Sequence, residues 1–227
     1  MGYIVIVLVF SVIGGIISNR LKSKFNFYSR VPLRNGMSGR EVAEDMLRFY
    51  GIRDVKVIEG QGFLTDHYNP ANKTVTLSSD VYHGRHIASA AVAAHECGHA
   101  VQHAQAYTWL RLRSAMVPVV SFAARAQQFI LMFGIGLFFV NSNPTILLVV
   151  AGVFGVTALF SLVTLPVEFD ASNRGLAWLN RSGVTSGQEY EGAKDALWWA
   201  AMTYVAAALS ALAVFLYFVM QYLGSRD

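Results

Sequence analysis

The sequence predicts an integral membrane protein, mainly α-helical, with about four transmembrane helices and a small α+β portion on one side of the membrane. Composition is the first reason: 54% of the 227 residues are hydrophobic and 14% are charged, whereas a soluble domain has about 25% charged residues. The second reason is that the uncharged residues gather in long runs, with the charged residues between them. Together these observations exclude a disordered chain and argue against an ordinary soluble domain.

The first apolar segment, residues 3–18, predicts an N-terminal transmembrane anchor over residues 1–19. It carries no charge, and at about 1.5 Å per residue it nearly crosses a hydrocarbon core of about 30 Å. A cleaved signal peptide is the competing interpretation. It needs a basic start and a small-x-small cleavage site, and neither is present in the sequence.

Two later segments, 145–165 and 196–222, are uncharged and each long enough to span alone. The stretch 115–140 is interrupted by Arg125, which leaves two interpretations. Either a helix leaves the membrane near Arg125 and 126–140 forms a span, or the span carries a buried functional arginine.

The first interpretation is favoured, because it makes a transmembrane hairpin that turns at Asn141-Ser142-Asn143-Pro144. The predicted parts are then an anchor (1–19), a cytoplasmic α+β portion (20–114), the hairpin (115–165), a helix and loop (166–195) and a C-terminal span (196–227).

The basic residues predict the orientation of these spans. Sixteen of the 18 lysines and arginines lie in 19–113 or 166–197, which four spans place on the same side of the membrane. Since short cytoplasmic loops carry the excess of Lys and Arg, we expect a multi-pass protein of the bacterial inner (plasma) membrane whose polar segments face the cytoplasm. The charges form no basic run with interleaved aromatic residues, so the bilayer, and not nucleic acid, is the expected partner.

The polar segment before residue 114 predicts a small α+β unit. Ser38 is a candidate N-cap for a helix over 38–50, because Glu41 completes a capping box and Gly51 is a natural stop. Three further elements are expected: short strands at 55–58 and 74–77, and a helix over 86–114.

The last of these helices contains His95-Glu96-Cys97-Gly98-His99, an H-E-x-x-H motif. Residues four apart lie one turn above each other on the same helix face, so the two imidazoles can bind one Zn²⁺ while Glu96 reaches a metal-bound water. The alternative is two satisfied core histidines that flank a paired glutamate. Cys97 points to a different face and is expected to be a small apolar filler; as the only cysteine, it also excludes a disulfide framework.

A catalytic zinc takes three protein ligands and keeps a fourth position for water. His103 lies on the same helix, one turn beyond His99, where a straight helix cannot easily bring it to the same ion. Glu168 and Asp170 stand where an apolar segment returns to the side of the motif, and Pro166 fits the first turn of a new helix there. Both carboxylates are therefore candidates for the third ligand.

These residues carry a resemblance. The chain resembles membrane gluzincin peptidases of the HtpX/Ste24 type in the order of three features: HECGH, an apolar hairpin, and E-F-x-A on a returning helix. It resembles the YugP-type neutral zinc metallopeptidase family more closely, through the stretch LTDHYNPANKTVTLSSDVYHG followed by AVAAHECGHAVQHA. The likeness covers nearly the whole chain. It implies a zincin-like catalytic portion, one Zn²⁺ per chain held by His95, His99 and Glu168, and Glu96 as catalytic base. One departure is Ser172, where the HtpX/Ste24 pattern has an aspartate.

The expected activity is therefore that of a membrane zinc metalloendopeptidase. Glu96 would act as general base toward the attacking water, and the expected substrate is a peptide or protein, drawn from membrane proteins or their cytoplasmic tails. Strand 74–77 has two equal interpretations: an exposed edge that pairs with an extended substrate, or an ordinary strand of a small sheet. Four residues are candidates for stabilising the oxyanion: His67, Tyr68, Tyr82 and His83. The competing functions are a non-enzymatic membrane scaffold or assembly factor with a closed structural zinc site, and a transporter that uses Arg125 and Glu168.

Overall fold

The computed structural model describes residues 2–130, 132 and 144–225 of the chain. The described part is mainly helical, with one small sheet. In chain order the elements are α1 (Gly2–Tyr28), α2 (Gly39–Phe49), β1 (Lys56–Gly60), β2 (His67–Asn69), β3 (Thr74–Ser78), α3 (Ser79–Tyr82), α4 (Ile87–Ala104), α5 (Thr108–Phe129), α6 (Pro144–Arg181) and α7 (Gln188–Gly224).

Three of the described helices, α1, α6 and α7, are long and apolar enough to cross a membrane. This confirms the predicted fold class, an integral membrane protein that is mainly α-helical. The prediction of about four spans was approximate, and three candidates lie in the described residues. The predicted span 126–140 and its turn at 141–144 lie largely outside the described residues. Arg125 lies on α5 with its side chain exposed.

The chain divides into two compact units. One unit comprises Met1–Ile16, Arg111–Leu165 and Thr203–Asp227, and the other comprises Ile17–Leu110 and Pro166–Met202. Within the first unit Tyr3, Phe154 and Phe218 form an aromatic cluster, with the rings of Phe154 and Phe218 stacked at 5.0 Å between centroids. Large apolar side chains such as Leu8 and Phe122 are exposed there, as they are on a surface that faces lipid.

The second unit contains the sheet, whose strand order is β1-β3-β2. β3 pairs in parallel with β1 and antiparallel with β2, with Val75 opposite both Val57 and Tyr68. The strands near 55–58 and 74–77 are therefore confirmed. Of the two interpretations of strand 74–77, the structure shows the ordinary strand of a small sheet and not the exposed edge, because β2 forms inside the loop between β1 and β3 and leaves β3 in the centre.

The first polar helix follows the sequence prediction closely. The Ser38 side chain accepts a hydrogen bond from the Glu41 backbone N–H, and the Glu41 carboxylate accepts one from the Ser38 backbone N–H at 2.7 Å. The helix ends at Phe49, and Gly51 has a φ of +69°. Because local residues satisfy both ends of the helix, sequence alone was sufficient to define it.

The single helix predicted over 86–114 is in fact two helices, α4 and α5, separated at residues 105–107. The Tyr107 N–H donates to the Gln102 carbonyl and the Ala106 N–H to the His103 carbonyl, which are the two hydrogen bonds of a Schellman motif. Ala106 takes the left-handed position at φ +53°. Glycine normally occupies that position, and its absence hid the break from sequence analysis.

The new helix predicted to begin at Pro166 does not form, because Pro166 lies inside α6. A proline within a helix removes one backbone hydrogen bond and costs about 3 kcal/mol in an isolated helix. Val167 and Ala171, the apolar residues that follow, are fully buried in the second unit, and that burial offsets the cost.

Candidate metal centre

The centre is built where α4 and the second-unit part of α6 pack with their backbones in close contact. A Cβ placed on Gly98 would lie 2.4 Å from the Ala171 carbonyl oxygen, and one on Gly175 would lie 2.9 Å from the Ala94 backbone. Glycine is thus required on both sides of the contact. The fully buried alanines of α4 allow the same close approach along the rest of that helix.

This packing brings together the three residues that sequence analysis named as metal ligands. His95, His99 and Glu168 each offer a ligand atom, and these atoms all lie within 4.8 Å of one another. The Glu168 Oε2 atom lies 3.5 Å from His95 Nε2 and 3.6 Å from His99 Nε2. Asp170, the other carboxylate considered, is not part of this group among the described residues.

The group fits a zinc ion in two respects. Two ligand atoms on one tetrahedral zinc are about 3.4 Å apart at ordinary Zn–N and Zn–O lengths, close to the distances from Glu168 to the two imidazoles. In the part of the chain that the structure describes, the buried Glu168 Oε2 atom has no hydrogen-bond partner. An orphaned carboxylate oxygen is costly to bury, and a cation at this point would satisfy it.

The other nitrogen of each imidazole contacts a polar side chain. His95 Nδ1 lies 3.0 Å from Ser172 Oγ, and His99 Nδ1 lies 3.0 Å from Gln102 Oε1. Both contacts leave the Nε2 atoms directed toward Glu168, as metal-binding histidines require. Ser172, the departure from the HtpX/Ste24 pattern, therefore supplies a hydrogen-bonding group to the first histidine.

Charge in the centre is predominantly negative. Burial by itself lowers the pKa of His99, but the nearby Glu168 carboxylate and the negative charge of Glu96 raise it more, so the net direction is upward. Burial raises the pKa of Asp66, and the charge of Glu96 adds to that effect against the hydrogen bonds from Ser78. This negative charge favours a bound cation.

Glu96 and Cys97, the two motif residues next to His95, have different surroundings. The Glu96 side chain is buried, and its charge acts on both His99 and Asp66. Cys97 is fully buried with its Sγ 3.6 Å from the Ala43 carbonyl oxygen, and burial raises the pKa of its thiol. Cys97 is therefore a packed core residue, as predicted, while Glu96 stands beside the metal ligands.

The four oxyanion candidates have different partners. His67 Nδ1 lies 2.8 Å from the Thr65 carbonyl oxygen, and the Arg40 guanidinium lies over the Tyr82 ring. His83 faces the Glu59 carboxylate at 3.2 Å. The Tyr68 hydroxyl lies 2.7 Å from Nδ1 of His103 on α4, which places Tyr68 against the helix that carries the motif.

Sequence analysis missed two polar residues near the centre, Gln102 and Asp66. Gln102 is fully buried and contacts His99, and the i, i+3 spacing of the two residues on a predicted helix was the available signal. Asp66 accepts hydrogen bonds from the Ser78 backbone and hydroxyl at 2.7 and 3.1 Å. No local pattern pointed to Asp66, because it depends on the pairing of β2 with β3.

Comparison with known proteins gives matches over nearly the whole chain. The family described as "Putative neutral zinc metallopeptidase" matches residues 3–223. A curated relative, the "Putative membrane protease YugP" of Bacillus subtilis (strain 168), is 42% identical over 209 residues, which are 92% of this chain and 91% of the relative. No solved structure gives a significant match. The aligned range includes the apolar segments as well as the metal centre.

Proposed function

We propose that this chain, which belongs to the neutral zinc metallopeptidase family, is a membrane-bound endopeptidase that uses one zinc ion per chain. The family match confirms the resemblance first noticed in the sequence. The observation that carries the proposal is the buried Glu168 oxygen, which lacks a hydrogen bond and faces the Nε2 atoms of both motif histidines. Glu96, the proposed base, is adjacent to one of those histidines in sequence.

In the proposed reaction the ligands are His95, His99 and Glu168. When bound, zinc would lower the pKa of a coordinated water toward about 7 and polarise the substrate carbonyl. Glu96 takes a proton from the attacking water as its oxygen bonds to the peptide carbonyl carbon. Glu96 then delivers that proton to the amine nitrogen as the C–N bond breaks.

We propose that an extended peptide pairs with the outer edge of β2, which replaces strand 74–77 in this role. In the described part of the chain β2 is an edge strand. It follows Asp66, which is within range of the charge of Glu96, and its Tyr68 reaches His103 near the end of α4. The strand thus runs alongside the metal-facing side of α4, where backbone pairing can hold a substrate.

Among the four oxyanion candidates we favour Tyr68. Its hydroxyl is held by His103, which lies one turn beyond the ligand His99 on α4. A phenolic hydroxyl with a fixed orientation can donate to the oxygen on which negative charge develops. The partners of the other three candidates lie elsewhere: Thr65 in a loop for His67, Arg40 on α2 for Tyr82, and Glu59 on β1 for His83.

The site is proposed to face the cytoplasm from a bacterial inner membrane, with the bilayer as permanent partner. The distribution of Lys and Arg supports this orientation. Glu168 follows the apolar segment 145–165 by three residues, so substrates are expected among membrane proteins or their cytoplasmic tails.

The deciding experiment compares zinc content and peptide cleavage in detergent-purified wild type and Glu96→Gln. Because the variant keeps all three ligands and loses the base, we expect about one zinc per chain in both proteins and a fall in cleavage of about 10²–10⁴-fold in the variant. Asp45→Asn, a change to an exposed carboxylate on α2, is the matched control and is expected to cleave normally.

The same experiment tests the scaffold alternative. A structural zinc site would give zinc in both proteins and no cleavage above background in either. Equal cleavage by zinc-loaded wild type and Glu96→Gln would remove Glu96 from the mechanism.

A further inference from the structure

Gln102 is a fully buried polar side chain that the proposed reaction does not use. It lies on α4 between the ligand His99 and the second-unit part of α6. Its Nε2 atom donates to the Val167 carbonyl at 2.8 Å and to the Asp170 carboxylate at 2.7 Å, and its Oε1 atom lies 3.0 Å from His99 Nδ1. All the polar atoms of this buried amide thus have partners.

These contacts fix which way the amide points. The Val167 backbone carbonyl can only accept a hydrogen bond, and the Asp170 carboxylate oxygen that faces Gln102 also accepts one from Arg174. The NH₂ group of Gln102 must therefore face both of them, and its carbonyl oxygen must face His99. A flipped amide would set its oxygen against two acceptors and lose two hydrogen bonds in a buried place.

The orientation of the amide in turn fixes the tautomer of His99. A carbonyl oxygen only accepts, so the proton of a neutral His99 imidazole must be on Nδ1. The lone pair is then on Nε2, the atom 3.6 Å from the Glu168 carboxylate. A histidine with the opposite tautomer would present an N–H to the cation and could not bind it.

We infer that Gln102 is a positioning residue that holds His99 in its metal-binding tautomer and that Asp170 holds Gln102, an inference that rests on the proposed zinc function. Asp170 also accepts a hydrogen bond from Nε of Arg174, one turn further along α6. Arg174 also donates to Gln105, an exposed residue that follows the last residue of α4. The chain His99–Gln102–Asp170–Arg174 therefore ties one metal ligand to the helix that supplies the carboxylate ligand.

The two histidines differ in this respect. His95 Nδ1 contacts the Ser172 hydroxyl, which can rotate and act as donor or acceptor. Ser172 can therefore support either tautomer of His95, whereas Gln102 supports one tautomer of His99. We therefore expect a substitution of Gln102 to weaken metal binding more than a substitution of Ser172.

The test measures zinc affinity of the full-length protein in detergent by competition with a chelator, together with the visible spectrum of the Co²⁺-loaded protein. Gln102→Leu keeps the size of the side chain and removes its hydrogen bonds. We expect zinc binding about 10–100-fold weaker and an altered Co²⁺ spectrum, as when other outer partners of metal ligands are removed. Gln105→Leu is the matched control, because Gln105 is exposed and contacts Arg174 but neither Gln102 nor a ligand in the described structure, and we expect a change within about threefold.

The outcomes separate this inference from the proposed function. Zinc bound by wild type and by Gln102→Leu with equal affinity would overturn the role of Gln102 and leave the zinc site standing. No zinc in wild type would overturn both. If Gln102→Leu does not fold, Asp170→Ala decides: weaker zinc binding with a changed Co²⁺ spectrum supports the inference, and wild-type affinity refutes it.

Discussion

Substitution of Gly98 by alanine tests the helix contact on which the proposed metal centre depends. The new methyl carbon would lie 2.4 Å from the Ala171 carbonyl oxygen, whereas a carbon and a carbonyl oxygen in contact are about 3.3 Å apart. Since both groups are held by backbone, neither can rotate away. Relief of the overlap requires α4 and α6 to separate locally by about 0.9 Å, the difference between those two distances.

We expect that displacement to lower the zinc affinity more than the stability of the fold. Overpacking of this kind lowers the free energy of unfolding by about 1–3 kcal/mol. The higher helix propensity of alanine relative to glycine offsets up to about 1 kcal/mol of that loss. The variant should therefore fold. Metal sites tolerate ligand displacements of only about 0.2 Å, and Glu168 lies on the helix that must move, three residues before Ala171. We expect zinc affinity to fall at least tenfold, by analogy with losses of about 10–100-fold for weaker perturbations.

The assay is chelator competition for zinc and thermal unfolding of detergent-purified protein, across a graded set of glycines. Gly175→Ala, whose Cβ would lie 2.9 Å from the Ala94 backbone, should have a smaller effect in the same direction. Gly152→Ala, whose Cβ meets nothing within 4 Å, is the control and should bind zinc like wild type. Wild-type affinity in Gly98→Ala would refute the close contact between the two helices and the reasoning built on it.

Three further changes have defined expectations. Ser172→Ala removes the hydroxyl beside His95 Nδ1 and should weaken zinc binding by up to about tenfold, measured by chelator competition. Tyr68→Phe removes the proposed oxyanion donor and should lower kcat by about 10²–10³-fold with little change in KM, measured by peptide cleavage. His86→Asn should flatten the loss of stability at acidic pH, measured as Tm against pH in zinc-free protein. Burial lowers the pKa of His86, so its capping contribution of about 1 kcal/mol is present above its unfolded pKa of about 6.5 and is lost as pH falls through the folded value.

Each of these changes has its own control. Ser161→Ala removes a hydroxyl from α6 that donates to the Thr157 carbonyl, and a loss of zinc as large as that in Ser172→Ala would discount the role of the Ser172 hydroxyl. Unchanged kcat in Tyr68→Phe would show that Tyr68 is not the oxyanion donor and would leave His67, Tyr82 and His83 as candidates. For His86, whose Nδ1 accepts from the Ser89 N–H, equal pH slopes in wild type and variant would show that the cap does not titrate in this range.

Sequence reasoning succeeded where the deciding interactions are local. The H-E-x-x-H spacing places His95 and His99 on one face of a helix whatever surrounds it. Ser38 and Glu41 satisfy each other within one helical turn, so the start of α2 follows from four residues. The fold class followed from runs of apolar residues, which need no tertiary information.

The same reasoning failed where the outcome depends on distant contacts. The continuation of α6 through Pro166 contradicts local propensity, and it is stabilised by the burial of Val167 and Ala171 just beyond the proline. β2 exists because a turn-rich loop finds a partner in β3. The contact between Gln102 and Asp170 joins residues 68 apart in sequence, which no periodicity can reveal.

The burial of Glu168 explains why small residues lie at the contact between α4 and α6 and why polar residues lie beside the two histidines. A buried carboxylate oxygen with no hydrogen bond carries a desolvation cost, which the proposed cation would compensate. The cation needs both imidazoles at short range, which requires the helix backbones to approach as closely as Gly98 and Gly175 allow. Polar contacts to His95 and His99 then direct each ring toward the same point. The small residues at the helix contact and the polar residues beside it thus serve one requirement, the compensation of a buried charge.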